Sequence, residues 1–283
     1  MKRGLKWLGL GLAGLVGLAL VAVAVLYGAS EVMLRARQPK AARVAIAAAR
    51  DPGAVARGAH LSKVYGCNDC HGANLEGKLF FNEMPVARVA GPNLSLKVGA
   101  QSDAELAHAI RSGVAADGRT LWIMPSNAFA HLSDAETSDL LAYLRSTPPT
   151  GHEQPDKQVG PVGRIGVLLG LFKPAPVMLA DWAGKDAPDL GPQFAQGRSL
   201  SRACMECHGA DLKGMEEAKA PDLMIAGAYD EADFERLLRR GIAAGDRKLG
   251  LMSEIAPARF TAWSHEEIGA LHAYLKARAA AAT

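Results

Sequence analysis

The chain has 283 residues, 49% hydrophobic and 6% aromatic, long enough for two domains that each bury a core. Lys2, Arg3 and Lys6 supply the whole formal charge of +3, and the remainder balances 29 basic against 29 acidic residues. A formally neutral body excludes the basic footprint of a nucleic-acid binder.

The first predicted element runs from Trp7 to Ser30 without a charged residue. Its length suits a helix crossing a hydrocarbon core of about 30 Å. A cleaved signal peptide usually has an apolar region of about 7–15 residues. With Trp7 and Tyr27 where interfacial aromatics belong, residues 1–30 read as a transmembrane anchor. The alternative is a signal cut at the small residues Ala22–Ala24. Lys2, Arg3 and Lys6 favour an inner N-terminus. Arg35, Arg37, Lys40 and Arg43 in the juxtamembrane segment 31–50 flank the other end, so the charge rule is only partly decisive. On either reading the body is exported.

Residues 51–148 form a first unit. It opens with "CNDCHGANLEG" (67–77) and "GPNL" (91–94). A helix follows in "SDAELAHAIRSG", with a Ser102/Glu105 capping box, an apolar stripe of Leu106, Ala109 and Ile110, and a left-handed stop at Gly113. After Arg119 and Met124 comes a last helix, "SDAETSDLLAYLRS", capped by Ser133/Glu136 and carrying Leu140, Tyr143 and Leu144.

A linker, 149–189, is rich in Pro and Gly and contains "IGVLLGLF" at 165–172. That apolar run is too short to span a bilayer. It is expected to be a short helix packed against one domain or between the two.

Residues 190–283 then repeat the first unit. "CMECHGADLKG" (204–214) and "APDL" (220–223) answer the opening phrases. "DEADFERLLRRG" places Phe234, Leu237 and Leu238 on one stripe and stops at Gly241. The spacing Gly241–Arg247–Met252 equals Gly113–Arg119–Met124. "SHEEIGALHAYLKA" has a Ser264/Glu267 capping box and Leu271, Tyr274 and Leu275 in register. The chain reads as a duplicated, mostly helical domain.

All four cysteines lie in the two Cys-x-x-Cys-His phrases. A structural zinc site needs four ligands, so two separate domains would have to share one metal. A redox dithiol expects a strand–helix setting that this pattern lacks. A disulfide closing a two-residue loop constrains little of the unfolded chain. None of these uses the histidine. Covalent haem does, because positions i, i+3 and i+4 share a helix face. Cys67 and Cys70 are expected to form thioethers with one haem and His71 to ligate its iron. Cys204, Cys207 and His208 are expected to do the same for a second. This linkage is made outside the bacterial inner membrane, which puts the body there.

Methionine sulfur suits the opposite face of a high-potential haem. Register selects Met124 and Met252 among the nine methionines. Met84 has no counterpart, and Met215 and Met224 lie too close after the haem motif, so these read as packing residues. Met252 lacks the proline that follows Met124 and stands farther from its capping serine. His60, His108, His131, His152, His265 and His272 share no pattern between units and are not assigned as ligands.

With these motifs the chain resembles a class I cytochrome c in tandem: Cys-x-x-Cys-His, "GPNL", "GRTLWIMPS" and a terminal "AYLRS" helix. It is similar to membrane-anchored cytochromes that accept electrons from periplasmic dehydrogenases. The resemblance implies a small helical fold around each of two covalently bound haem c groups. It also implies that Pro92 and Pro221 offer their carbonyls to the haem histidines, as ligating histidines require of their surroundings. "APDL" departs from the usual glycine–proline pair.

The expected function is single-electron transfer between a dehydrogenase donor and an oxidase or cytochrome acceptor. The expected location is the inner membrane, crossed once, with the haem domains in the periplasm. The alternative is a dihaem enzyme, peroxidase-like or thiosulfate-oxidising, with one iron open. Because each unit has a thin core, the haem-free chain is expected to fold poorly.

Overall fold

The computed structural model describes residues 2–39 and 44–282. Lys40, Arg43 and the side chain of Lys2 lie outside the described residues. The first helix, α1 (Lys2–Leu34), is continuous and exposed through its apolar stretch, with a mean hydropathy of 2.5 over an 18-residue window. The first unit contains α2 (Ala54–Val64), α3 (Cys67–His71), β1 (Lys78–Glu83), β2 (Ala87–Gly91), α4 (Leu94–Lys97), α5 (Asp103–Ser112), α6 (Ser126–Phe129) and α7 (Asp134–Ser146). Between the units lie β3 (Gln158–Val159), α8 (Pro161–Leu168) and α9 (Ala175–Asp181). The second unit contains α10 (Ala195–Ser201), α11 (Met205–His208), α12 (Glu231–Arg240), α13 (Leu251–Arg259) and α14 (His265–Ala281). The fold is mostly α, as the periodicity predicts.

Local chemistry sets the helix boundaries. All three capping boxes form, with Ser102, Ser133 and Ser264 each accepting from the backbone N–H of the glutamate three residues on. Gly113 and Gly241 end α5 and α12 in the left-handed conformation at φ 66° and 65°. Along α5 the buried residues are Leu106, Ala107 and Ile110, so the alanine facing the core is Ala107 rather than Ala109. Phe234, Leu237 and Leu238 are all buried, as their stripe predicts.

Each unit is organised by the same helix crossing, α2 on α7 and α10 on α14. Both crossings are made through glycine. A Cβ on Gly58 would stand 2.1 Å from the Asp139 carbonyl oxygen, and one on Gly197 2.2 Å from that of Ala270. The backbones therefore touch, and Leu140, Leu144, Leu271, Tyr274 and Leu275 fill the core beside the contact.

Two features depart from the sequence expectation. The first unit contains an antiparallel hairpin, β1–β2, extended by β3, in a mostly helical chain whose sequence reading assigned no element there. It has no equivalent among the strands of the second unit, and it explains why histidine and proline are 21 residues apart in one copy and 13 in the other. The linker helix α8 packs chiefly against α1, with Gly163 tucked against the Val86 carbonyl of the hairpin turn. It does not sit between the domains.

The two units share one hydrophobic cluster, which includes Tyr65, Phe129 and Leu141 from the first and Met205, Phe260 and Trp263 from the second. His60 Nε2 faces Glu267 Oε1 across the interface at 3.1 Å.

Candidate functional site

Each Cys-x-x-Cys-His phrase occupies one helical turn, so both sulfurs and the imidazole share a face. The turn ends at Gly72 in one copy and Gly209 in the other, with φ of 85° and 78°. The chain then folds back in the same way twice. Gly77 N–H donates to the His71 carbonyl at 2.7 Å, and Gly214 N–H to that of His208 at 2.9 Å. Leu75 and Leu212, both fully buried, adopt left-handed φ values of 60° and 61°. Their carbonyls accept from Leu94 N–H at 2.8 Å and Leu223 N–H at 2.9 Å. Burial of a large apolar side chain holds each leucine in a backbone region it would otherwise avoid.

This return brings a proline carbonyl to each histidine. His71 Nδ1 lies 2.9 Å from the Pro92 oxygen, and His208 Nδ1 lies 2.8 Å from that of Pro221. A carbonyl only accepts, so each Nδ1 carries the proton and each Nε2 keeps a lone pair. Burial pushes the pKa of both rings down, against the opposing pull of the proline carbonyls, and so favours the neutral, ligating form. The "APDL" departure is accommodated: Ala220 pairs with Met215 in a short bridge, and Pro221 still reaches its histidine. In the first copy Gly91 is required, because a Cβ there would stand 2.1 Å from the Cys70 carbonyl oxygen.

No disulfide joins any of the four cysteines. Burial pushes Cys67 and Cys70 up to about 11 and Cys204 up to about 12, and it raises Cys207 as well. Among the described residues no three His, Cys, Asp or Glu converge as a metal cage. A thiol that adds across a vinyl group, beside a neutral imidazole with a free Nε2, is the donor set that a covalent haem requires.

Met124 and Met252 are both half-buried and pack against the common core. Their local settings differ. Met124 lies in irregular chain just before α6, whereas Met252 lies in the first turn of α13. Both segments are held by the left-handed glycines. A Cβ on Gly113 would stand 3.2 Å from Ser126 Oγ, and one on Gly241 2.0 Å from the Ser253 carbonyl oxygen. The extra residues between Met252 and Ser264 are taken up by α13 and the turn behind it. Met84 is exposed at the hairpin tip. The unassigned histidines have other partners where contacts are defined. His131 faces Asp186, His265 binds Glu235, and His272 stacks on Phe234.

Some buried donors have no partner among the described residues: Trp122 Nε1, Trp263 Nε1 and Arg202 Nε. An unpaired buried N–H is costly, and these lie two residues before Met124, one before the last capping serine and two before Cys204. They suit the carboxylates that a haem carries on its edge, so the residues present fit the group.

The two attachment turns face each other. The guanidinium of Arg259, which is 8% exposed, lies between Asp69 of the first turn and Glu206 of the second, 2.7 Å from each. It also lies over the backbone of Gly66, where a Cβ would stand 2.4 Å away. Burial opposes the charge, but Glu206 and Asp69 outweigh it and hold the arginine firmly protonated. The sequence carries one signal of this contact: the residue before the second cysteine is acidic in both copies. Nothing near Arg259 marks it as their partner.

The fold and the paired turns define a cytochrome of the c type. The family model for cytochrome c matches residues 55–148 and 194–279, and the chain belongs to that family. Its two domains carry two covalently bound haem c groups. Among curated proteins it is similar to "Alcohol dehydrogenase (quinone), cytochrome c subunit" of Gluconacetobacter polyoxogenes, 24% identical over 80% of this chain and 56% of that protein. It is also similar to "Gluconate 2-dehydrogenase cytochrome c subunit" of Pantoea cypripedii, 26% identical over 78% and 59%. A third relative is "Fructose dehydrogenase cytochrome subunit" of Gluconobacter japonicus, 24% identical over 78% and 52%. The chain thus spans little more than half the length of the curated relatives it matches.

Proposed function

We infer that this protein is a membrane-anchored dihaem cytochrome c that relays single electrons from a dehydrogenase to a respiratory acceptor. Its haem domains lie on the periplasmic face of the inner membrane. The observation that carries the reading is the pair of matched attachment turns facing each other across Arg259. The relatives, cytochrome subunits of alcohol, gluconate and fructose dehydrogenases, support a dehydrogenase as donor. The α1 helix, long and apolar enough to cross a membrane, supports the anchor.

When bound, each haem supplies a one-electron ferrous–ferric couple. The chain's own residues supply the rest. Cys67, Cys70, Cys204 and Cys207 fix the macrocycles covalently to two short turns. His71 and His208 present Nε2 to the iron, oriented by Pro92 and Pro221. Met124 and Met252 would offer soft sulfur to the irons, which would favour a high potential and close them to substrate. Arg259 holds the two turns together, keeping the distance between the groups they carry short.

The test is a redox titration and spectrum of the purified holoprotein, with rapid mixing against its co-purifying dehydrogenase. Two low-spin ferric haems, both with the methionine–iron charge-transfer band and both reduced by the dehydrogenase, are expected. A high-spin haem that reacts with peroxide would overturn the reading in favour of an enzyme.

A further inference from the structure

The linker carries an apolar surface that electron relay does not use. Val162, Ile165, Leu168, Leu169, Leu171 and Phe172 are all between 39% and 73% exposed. Val162, Ile165, Leu168 and Leu169 lie at helical spacing on one face, while Gly163, Gly166 and Val167 form the buried face of α8, with the Phe172 ring folded back against Gly166. Gly170 then turns the chain through a left-handed φ of 71°, leaving Leu169 and Leu171 at the tip at 69% and 73% exposure.

Such a face names no occupant by itself, but its attachment to α1 does. Arg164 donates to Ser30 Oγ and to Glu31 Oε2, both at 2.8 Å, and its guanidinium lies 4.5 Å from the centre of the Tyr27 ring. Ser30 is the last uncharged residue of the apolar run, and Tyr27 is its interfacial aromatic. Arg164 therefore fixes α8 at the level where α1 leaves the hydrocarbon. Lys173, paired with Asp181 at 2.6 Å, immediately follows the apolar tip and returns the chain to polar surroundings. The exposed face of α8 is thus continuous with the lipid-facing surface of α1.

We propose that residues 162–172 form a membrane-surface element that lies in the headgroup and upper acyl zone of the bilayer beside α1. The proposal rests on the reading of α1 as a membrane span. Its apolar face and polar attachments are those of a helix lying in the interface plane. It also has a consequence for the first haem domain. Gly160 N–H donates to the Val86 carbonyl at 2.9 Å, and Val162 N–H to that of Pro85 at 3.2 Å, which ties α8 to the hairpin turn. The other end of that hairpin, Gly91, rests on the Cys70 carbonyl. Seating α8 on lipid therefore sets the tilt of the first attachment turn relative to the membrane.

The test uses the full holoprotein in vesicles of phosphatidylethanolamine and phosphatidylglycerol. Three variants carry a photoreactive side chain: Leu171→benzoylphenylalanine, Val16→benzoylphenylalanine in α1, and Ile225→benzoylphenylalanine on the second domain. Each replaces an exposed residue, and an unchanged haem spectrum verifies folding. Lipid adducts at 16 and 171, with the yield at 171 at least about tenfold above that at 225, are expected. Adducts at 16 but not at 171 overturn the proposal while leaving the anchor intact. Crosslinks from 171 to protein, whether a second copy or a dehydrogenase subunit in native membranes, also overturn it. No lipid adduct at either 16 or 171 removes the anchor and the proposal together. A Leu169→benzoylphenylalanine variant repeats the measurement should the haem spectrum of the 171 variant change.

Discussion

Arg259 Nε stands 2.7 Å from Asp69 Oδ2, joining residues 190 positions apart in the sequence. Asp69 lies inside the first haem-attachment phrase, and Glu206, the other partner of the same guanidinium, lies inside the second. One buried cation therefore bridges two acids that the duplication placed face to face.

Removing that cation is expected to matter more than removing a surface ion pair. Arg259→Leu leaves two partly exposed carboxylates opposed, at a cost of about 2 kcal/mol after allowing for solvent screening. Arg259→Lys keeps the charge but not the two-armed geometry and should lose less. Thermal unfolding followed at the haem absorbance checks the ranking, and an unaffected Arg259→Leu melt would refute it.

The helix crossings give a second prediction. Gly58→Ala and Gly197→Ala force a methyl group to within 2.1 Å and 2.2 Å of a backbone oxygen. Each should cost about 2 kcal/mol or more and lower haem incorporation. Gly269→Ala is the control, since its Cβ would meet only Glu231 Oε1 at 3.4 Å. Inside α14 it should be neutral or stabilising by about 0.5 kcal/mol, read from the same melts.

The methionines are separable by spectroscopy. Met124→Ala and Met252→Ala should each abolish the methionine–iron band of one haem, lower that haem's potential and leave the other unchanged. Met84→Ala, at the exposed hairpin tip, should change neither. Loss of the band from Met84→Ala would reassign the first ligand.

Acid sensitivity should depend on Asp103. The Ala48 N–H donates to it at 2.8 Å and lowers its pKa; burial opposes this, and Arg145 adds to the lowering. A carboxylate depressed in the folded state stabilises fully above the ordinary aspartate value, and that contribution is lost as pH falls through the lowered one. Asp103→Asn should therefore be less stable at neutral pH and lose less on acidification. Melting temperatures from neutral pH down through the carboxylate range test this. Parallel curves for the two proteins would count against it.

The sequence disclosed what is short-range and repeated. Capping boxes, left-handed glycines and the Cys-x-x-Cys-His turns are fixed within a few residues, so the structure has little freedom to change them. The return of Pro92 and Pro221 to their histidines followed from family resemblance rather than from local spacing, because 21 and 13 residues separate the partners. The hairpin was not legible: it occurs in one copy only, so comparison of the copies treats it as a gap, and Met84–Pro85 interrupts its apolar pattern. Arg259 was hidden for a different reason. A charge on α13 has no local feature that announces a partner in another domain.

The hairpin also ends the equivalence of the two copies. Through β3 and α8 it ties the first copy to α1, and Arg37, just beyond the end of α1, pairs with Arg119 of the same copy. The second copy is joined to this assembly through the Arg259 and His60 contacts and the shared core. Two domains that began as duplicates now occupy a near and a far station relative to α1, and a partner approaching from either side meets a different haem domain first.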